Sequence, residues 1–122
     1  MTDKRLLIMD DEPDFCDFVG HIGESLGYRV TKVTDSRKFK VAYRETNPDM
    51  IVIDMVMPEL DGFDLVNWLV DQKTEAKLLI ITGHNPLYAK AAQMQSTAKG
   101  VGQVEAFTKP VSVSKLRAAL TS

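Results

Sequence analysis

Short apolar runs alternate with helical patterns along this chain, and this alternation limits the possible folds more than any other feature. Residues 28–33 alternate between apolar and polar side chains and are predicted to form a more exposed edge strand. Four other runs predict buried strands, namely residues 6–9, 50–53, 78–81 and 104–107. Strands that alternate with helices predict a parallel sheet covered by helices on both faces.

The segments between the runs carry helix signals. Gly27 follows an apolar helical pattern and is a plausible stop, whereas Asn85-Pro86 and Ser112 are plausible helix starts. Helical patterns cover residues 15–26, 36–45 and 61–72. A chain of 122 residues is the size of one domain. We therefore predict a single α/β domain over residues 1–122, with five strands each followed by a helix.

Composition excludes several classes of protein. The net charge is −2, with Lys and Arg spread out, so the sequence predicts no direct binding to nucleic acid. The single cysteine, Cys16, rules out an internal disulfide. The N-terminus does not resemble a signal peptide, and no run reaches the ~20 apolar residues that cross a bilayer. We expect a cytoplasmic domain with no membrane insertion.

Polar and charged residues follow four of the five predicted strands. Because the carboxyl ends of parallel strands meet at one edge of a sheet, where such folds bind ligands, we expect these residues to lie together. They are Asp10-Asp11-Glu12, Asp54, Thr82-Gly83 and Lys109-Pro110.

This set of residues is typical of phosphoryl-transfer chemistry. Asp10, Asp11 and Asp54 would bring three negative charges together, which a divalent cation and Lys109 would balance. Carboxylate oxygens without His or Cys favour Mg²⁺ or Mn²⁺ over zinc. An aspartate can act as the nucleophile and form an acyl phosphate. No glycine-rich phosphate loop is present, so a bound nucleotide is not indicated.

Four pieces of the sequence, "LLIMDDE", "IVIDMVMPELDG", "LLIITG" and "FTKP", match a known family in order. The chain resembles a response-regulator receiver domain of bacterial two-component signalling (CheY-like) over essentially its whole length. The resemblance implies a doubly wound, flavodoxin-like (βα)5 fold with strand order 2-1-3-4-5.

The resemblance also implies a metal-dependent phosphoacceptor. By position, Asp54 would accept the phosphoryl group. Asp10, Asp11 and Asp54, with the backbone carbonyl of Val56, would hold Mg²⁺ or Mn²⁺.

The remaining implied roles concern the phosphoryl oxygens and the partners. Thr82 and Lys109 would each contact a phosphoryl oxygen, and Pro110 would follow a cis peptide bond. The phosphoryl donor would be a histidine kinase or a histidine phosphotransfer protein, and the receiver of the signal a downstream protein or an attached output domain. Such a domain catalyses only its own phosphorylation and dephosphorylation and turns over no external substrate.

The chain departs from the family pattern in three places. Ala106 occupies a position where the family often has an aromatic residue, and strand alternation directs Phe107 to the opposite face. The segment between Thr82 and Lys109 is a little longer than usual. Val56 and His84 flank the acceptor, and since valine cannot orient a water molecule, we expect a long-lived phosphate.

Two other functions are open at this point. One is a degenerate receiver that binds partners without phosphate. The other is an Asp-nucleophile phosphatase of the haloacid-dehalogenase type. That family has a D-x-D pattern after its first strand and a cap domain, whereas this chain has Asp10-Asp11 there and is too short for a cap domain, which argues against this function. The chain either acts alone or is part of a longer regulator or hybrid kinase.

Overall fold

The computed structural model describes residues 4–54, 62–83 and 103–121. In chain order the elements are β1 (Arg5–Met9), α1 (Pro13–Ser25), β2 (Arg29–Val33), a 3-10 turn (Ser36–Lys38), α2 (Phe39–Thr46), β3 (Met50–Asp54), α3 (Gly62–Asp71), β4 (Lys77–Thr82), β5 (Val104–Thr108) and α4 (Val113–Thr121). The helix predicted to begin at Asn85-Pro86 lies outside the described residues. None of the helices in the described ranges is both long and apolar enough to span a membrane.

The five strands form one parallel sheet with the order β2-β1-β3-β4-β5. The predicted doubly wound fold and its strand order are thereby confirmed. The run at residues 28–33 becomes the edge strand β2, as its alternation predicted. β1 and β3 lie side by side in register, with Met9 opposite Ile53, so the residues that follow these two strands emerge next to each other.

Alternating side chains of the strands enter two separate cores, one on each face of the sheet. On one face Leu7, Ile51 and Ile80 pack with Phe39 of α2 and Leu65 of α3. Because strand side chains alternate in direction, the neighbouring residues enter the other core. That core packs against α1 and α4, and its members include Leu6, Ile8, Val52, Leu79, Val19 and Leu116. Burial on both faces explains why the central strands are continuous apolar runs.

α1 approaches the sheet closely because it carries glycine where it crosses β1 and β2. A Cβ atom on Gly23 would lie 2.6 Å from Cδ2 of Leu6. Gly27 then ends the helix with φ +94°, a backbone conformation that glycine adopts without steric cost. The amide of Tyr28 donates to the carbonyl of Gly23, which completes this helix end. Gly27 is therefore the stop that the sequence predicted.

α4 is fixed at both of its ends by side chains. At its start the hydroxyl of Ser112 accepts a hydrogen bond from the amide of Lys115 at 3.1 Å, so Ser112 caps the helix as predicted. At its end the hydroxyl of Tyr28 donates to the carbonyl of Leu120. The buried amine of Lys77 donates to the carbonyl of Ala119 at 3.0 Å. These two contacts join the last turn of α4 to the amino-terminal edge of the sheet.

Candidate functional site

The candidate site lies at the carboxyl edge of β1 and β3. Asp54 is the last residue of β3, and Asp10 follows the last residue of β1. Both are buried, with exposures of 1% for Asp10 and 5% for Asp54, whereas Asp11 and Glu12 are exposed. Each of these four residues offers a carboxylate oxygen, and the four oxygens lie within 4.8 Å of one another. Adjacent, in-register strands thus bring the predicted acidic residues together.

The two carboxylate oxygens of Asp10 make different contacts within the site. Its Oδ1 accepts a hydrogen bond from the amide of Glu12 at 2.9 Å. Its Oδ2 is buried, and the contact it makes there is an ion pair with the amine of Lys109 at 3.0 Å. Burial raises the pKa of this carboxyl, and the neighbouring amide and the Lys109 amine only partly oppose the effect. A buried carboxylate oxygen of this kind fits a divalent cation.

Lys109 places a cationic side chain among these carboxylates. Its Nζ lies 2.7 Å from Oε1 of Glu12, 3.0 Å from Oδ2 of Asp10 and 3.7 Å from Oδ2 of Asp54. The side chain of Lys109 is 16% exposed. Burial alone would lower the pKa of this amine, but the contacts with Glu12 and Asp10 outweigh it, and the pKa is raised. The lysine therefore carries its charge inside the site.

The ring of Phe15 also contacts the amine of Lys109. Nζ of Lys109 lies 4.3 Å from the centroid of this ring, which is cation–π distance. Phe15 belongs to α1 and also contacts Phe18, with the ring centroids 6.0 Å apart. The amine is thus bounded by carboxylates and by an aromatic face.

Two contacts of the site were not predicted from the sequence. The acidic run after β1 placed Glu12 at this edge of the sheet, but nothing in the sequence indicated its contact with Lys109. Phe15 was assigned to the apolar face of α1, and it does pack there. No sequence signal showed that its ring would also meet Lys109.

The structure describes the remaining predicted site residues only in part. Thr82 is the last residue of β4, opposite Thr108 of β5, but its side chain is outside the described set. Val56 and His84 lie outside the described ranges altogether. The peptide bond between Lys109 and Pro110 is cis, as expected.

Ala106 and Phe107 enter different cores, as strand alternation predicted. Ala106 packs on the face that carries α2 and α3, and Phe107 packs on the face that carries α1 and α4. Phe107 therefore does not take the place of an aromatic residue at position 106.

Cys16 lies next to the site, in an environment that disfavours the reactive thiolate. It is buried, and its thiol donates to the backbone carbonyl of Asp10 at 3.3 Å. Burial, together with the charge of Asp10, raises the pKa of the thiol to about 11. The sequence-based preference for a small buried residue over a redox-active one agrees with this environment.

Comparison with known protein sequences finds response regulators. Residues 6–121 match the response regulator receiver domain family. The response regulator SaeR of Staphylococcus aureus (strain USA300) is 35% identical over 89 residues, which make up 70% of this chain and 39% of SaeR. The chain thus spans about two fifths of the length of this curated relative.

Solved structures share the fold. A response regulator receiver domain protein (CheY-like) from Methanospirillum hungatei JF-1 matches with a TM-score of 0.84 at 21% identity, over 98% of this chain and 92% of that one. A response regulator from Colwellia psychrerythraea matches with a TM-score of 0.81 at 26% identity, over 98% of this chain and 95% of that one.

Proposed function

The chain belongs to the response-regulator receiver family, and from this premise we propose that it is a phosphoryl-accepting switch. Asp54 takes the phosphoryl group from a histidine kinase or a histidine phosphotransfer protein. The observation that carries the proposal is the position of Lys109, whose amine lies between Asp10 and Asp54 at 3.0 and 3.7 Å. A cation held over a buried carboxylate at this edge suits an acceptor that becomes more negative when it reacts.

The proposed reaction is a transfer of one phosphoryl group from the donor to Asp54. An Oδ atom of Asp54 forms a bond to phosphorus while the bond between phosphorus and the donor imidazole nitrogen breaks. The nitrogen keeps the electron pair of that bond, and the product on Asp54 is an acyl phosphate. Lys109 lies close enough to Asp54 to pair with an oxygen of the transferred group. We assign the hydroxyl of Thr82 to a second phosphoryl oxygen.

We propose that Asp10, Asp11 and Asp54, with the backbone carbonyl of Val56, hold Mg²⁺, or Mn²⁺ in its place. The buried Oδ2 of Asp10 and the four convergent carboxylate oxygens support this donor set. When bound, the cation offsets the negative charge of the carboxylates and of the phosphoryl oxygens. The oxygen-rich site, which contains no His or Cys ligand among the described residues, suits these hard ions.

We further propose that the protein turns over no external substrate. Water hydrolyses the acyl phosphate and restores Asp54, so the only catalysis is on the chain itself. Phosphorylation changes the binding of a downstream protein or the state of an attached output domain, without direct contact to nucleic acid by this domain. Histidine kinases of such systems phosphorylate their receivers in the cytoplasm, where we place this domain.

Labelling with acetyl phosphate tests the acceptor. In the presence of Mg²⁺, the purified protein is expected to gain the mass of one phosphoryl group, with the label on Asp54 by peptide mass spectrometry. Asp54→Asn should abolish the label, because the amide is not a competent nucleophile. Asp71→Asn, at the exposed end of α3, makes the same chemical change away from the site and should label normally.

The two alternatives give different results in this experiment. A degenerate receiver would show no label on the wild-type protein under any metal condition. A phosphatase would release phosphate from a generic phosphomonoester over many turnovers, whereas the switch takes up one phosphoryl group per chain. Omission of Mg²⁺ and Mn²⁺ by chelation should suppress labelling of the wild type, and undiminished labelling would refute the proposed cation site.

A further inference from the structure

The shortest contact of Lys109 is with a residue that has no role in the proposed reaction. Its amine lies 2.7 Å from Oε1 of Glu12 but 3.7 Å from Oδ2 of the acceptor Asp54. The distance to Glu12 is that of a charge-assisted hydrogen bond, and the distance to Asp54 is beyond hydrogen-bond range. In this structure the amine is therefore held by Glu12 and Asp10 rather than by the acceptor.

The backbone of Glu12 is anchored, so its carboxylate stays near the amine. Its amide donates to Oδ1 of Asp10 at 2.9 Å. Its carbonyl accepts from the amides of Phe15 and Cys16 at the start of α1, both at 3.1 Å. These bonds fix the origin of the side chain, which is 63% exposed and reaches Lys109 from the solvent side.

Phe15 limits where the amine can go. The centroid of its ring lies 4.3 Å from Nζ of Lys109. The other contacts of this amine are with the carboxylates of Glu12, Asp10 and Asp54. The amine lies 1.0 Å nearer to Oε1 of Glu12 than to Oδ2 of Asp54, at 2.7 and 3.7 Å. The two carboxylates of Glu12 and Asp54 thus compete for one cation.

We infer that Glu12 is a positioning residue that holds Lys109 away from Asp54 and thereby slows phosphoryl transfer to the acceptor. This inference rests on the proposed function. Before transfer, Glu12 is the nearer partner of the amine, at 2.7 Å against 3.7 Å for Asp54. As the phosphoryl group arrives, negative charge builds up beside Asp54, and the amine must leave Glu12 to pair with a phosphoryl oxygen. The contact with Glu12 stabilises the resting state but not the state in which the bond to phosphorus forms.

The expected effect is modest because Glu12 is partly solvated. Partly exposed ion pairs typically shift an equilibrium by about two- to fivefold. Glu12→Gln keeps the shape of the side chain and removes its charge. We expect this variant to be labelled by acetyl phosphate about threefold faster than the wild type at saturating Mg²⁺. The transfer is balanced by acetate, which leaves with the electron pair of its bond to phosphorus.

Asp14→Asn is the matched control. Asp14 lies two positions further along, in the first turn of α1, is exposed, and loses the same charge on substitution. A general effect of rim charge on the approach of acetyl phosphate would accelerate both variants alike. An effect that passes through Lys109 accelerates only Glu12→Gln.

A double-variant comparison isolates the lysine. In a Lys109→Ala background, Glu12→Gln should no longer change the labelling rate, because the cation for which the carboxylates compete is gone. Equal acceleration with and without Lys109 would overturn the inference. Magnesium affinity, measured by calorimetry, should differ less than twofold between wild type and Glu12→Gln; a larger change would assign the effect to the metal site instead.

A structural readout does not depend on labelling. Crystal structures of the wild type and Glu12→Gln should show Nζ of Lys109 closer to Oδ2 of Asp54 in the variant, and an unchanged separation would overturn the inference. Failure of the wild type to label at Asp54 would instead refute the proposed function. Normal wild-type labelling with no acceleration in Glu12→Gln would refute the inference alone.

Discussion

Two glycines on the same helix are expected to respond in opposite ways to the same substitution. Gly20 and Gly23 both lie on the buried side of α1, where it crosses the sheet. Alanine favours a helix over glycine by about 1 kcal/mol at an interior position. The gain is common to both sites, so the difference between the variants depends on the space that each new methyl group enters.

At Gly23 the methyl group has no room. Its Cβ would lie 2.6 Å from Cδ2 of Leu6 and 3.3 Å from Cγ2 of Val30. Carbon atoms prefer about 3.5–4.0 Å, and Leu6 is only 1% exposed, so the leucine cannot move into solvent. Overpacking of this kind costs about 1–3 kcal/mol. After the helical gain, we expect Gly23→Ala to lower the free energy of unfolding by about 1 kcal/mol.

At Gly20 one of the two nearest side chains can move away from a new methyl group. Its Cβ would lie 3.3 Å from Cε of Lys32 and 3.3 Å from Cγ1 of Val30. The lysine side chain is 41% exposed and can turn toward solvent. Only the contact with the edge-strand valine remains, so we expect Gly20→Ala to raise the free energy of unfolding by about 0.5 kcal/mol.

Urea denaturation of both variants tests this reasoning. A difference of about 1.5 kcal/mol between them corresponds to midpoints separated by roughly 1 M for a domain with a slope near the lower end of the usual range. The slopes themselves should match that of the wild type, since the fold does not change. Equal midpoints, or a Gly23→Ala variant more stable than Gly20→Ala, would refute the close packing of α1 against β1.

The remaining predictions concern the two edges of the sheet. Tyr28→Phe removes the hydroxyl that donates to the carbonyl of Leu120 and should lower the free energy of unfolding by about 1 kcal/mol, measured by the urea midpoint; an unchanged midpoint would contradict this anchoring of α4. Asp10 has a pKa raised above 3.8 by burial, so its ionisation costs stability as the pH rises through that raised value. In chelator, Asp10→Asn should therefore be more stable than wild type at pH 7 and equally stable below about pH 3.5, and a gain that persists in acid would exclude this cause.

Much of the fold could be predicted because four of the five strands carry the expected burial signal. The run at residues 104–107 was wrongly predicted to be buried: it forms β5, the second edge strand, whose five residues are all half-buried. The central runs are apolar on both faces, and β2 alternates because it lies at the edge. The carboxyl ends of the strands in a parallel sheet lie at the same edge, which is why the sequence alone placed Asp10, Asp54 and Lys109 together. Gly27 and Ser112 were predictable because helix ends have local backbone requirements.

The contacts that were not predicted involve long side chains that meet across the fold. Glu12 and Lys109 are separated by 97 positions, and their pairing depends on side-chain rotamers rather than on periodicity. Lys77 was placed outside the apolar run of β4, yet it is 7% exposed, because its amine reaches the carbonyl of Ala119. Hydrophobic spacing predicts which backbone segments are buried, but not where the charged end of a flexible side chain finds a partner.

The environment of Cys16 makes this chain a convenient background for site-specific probes. It is the single cysteine of the sequence, and with a thiol pKa of about 11 only about one molecule in a thousand would present the reactive thiolate at pH 8. Burial further shields the sulfur from maleimides and methanethiosulfonates. A cysteine introduced at an exposed position can then carry a fluorophore or nitroxide without replacing Cys16, so distances across the domain can be followed before and after phosphorylation in an otherwise unaltered protein.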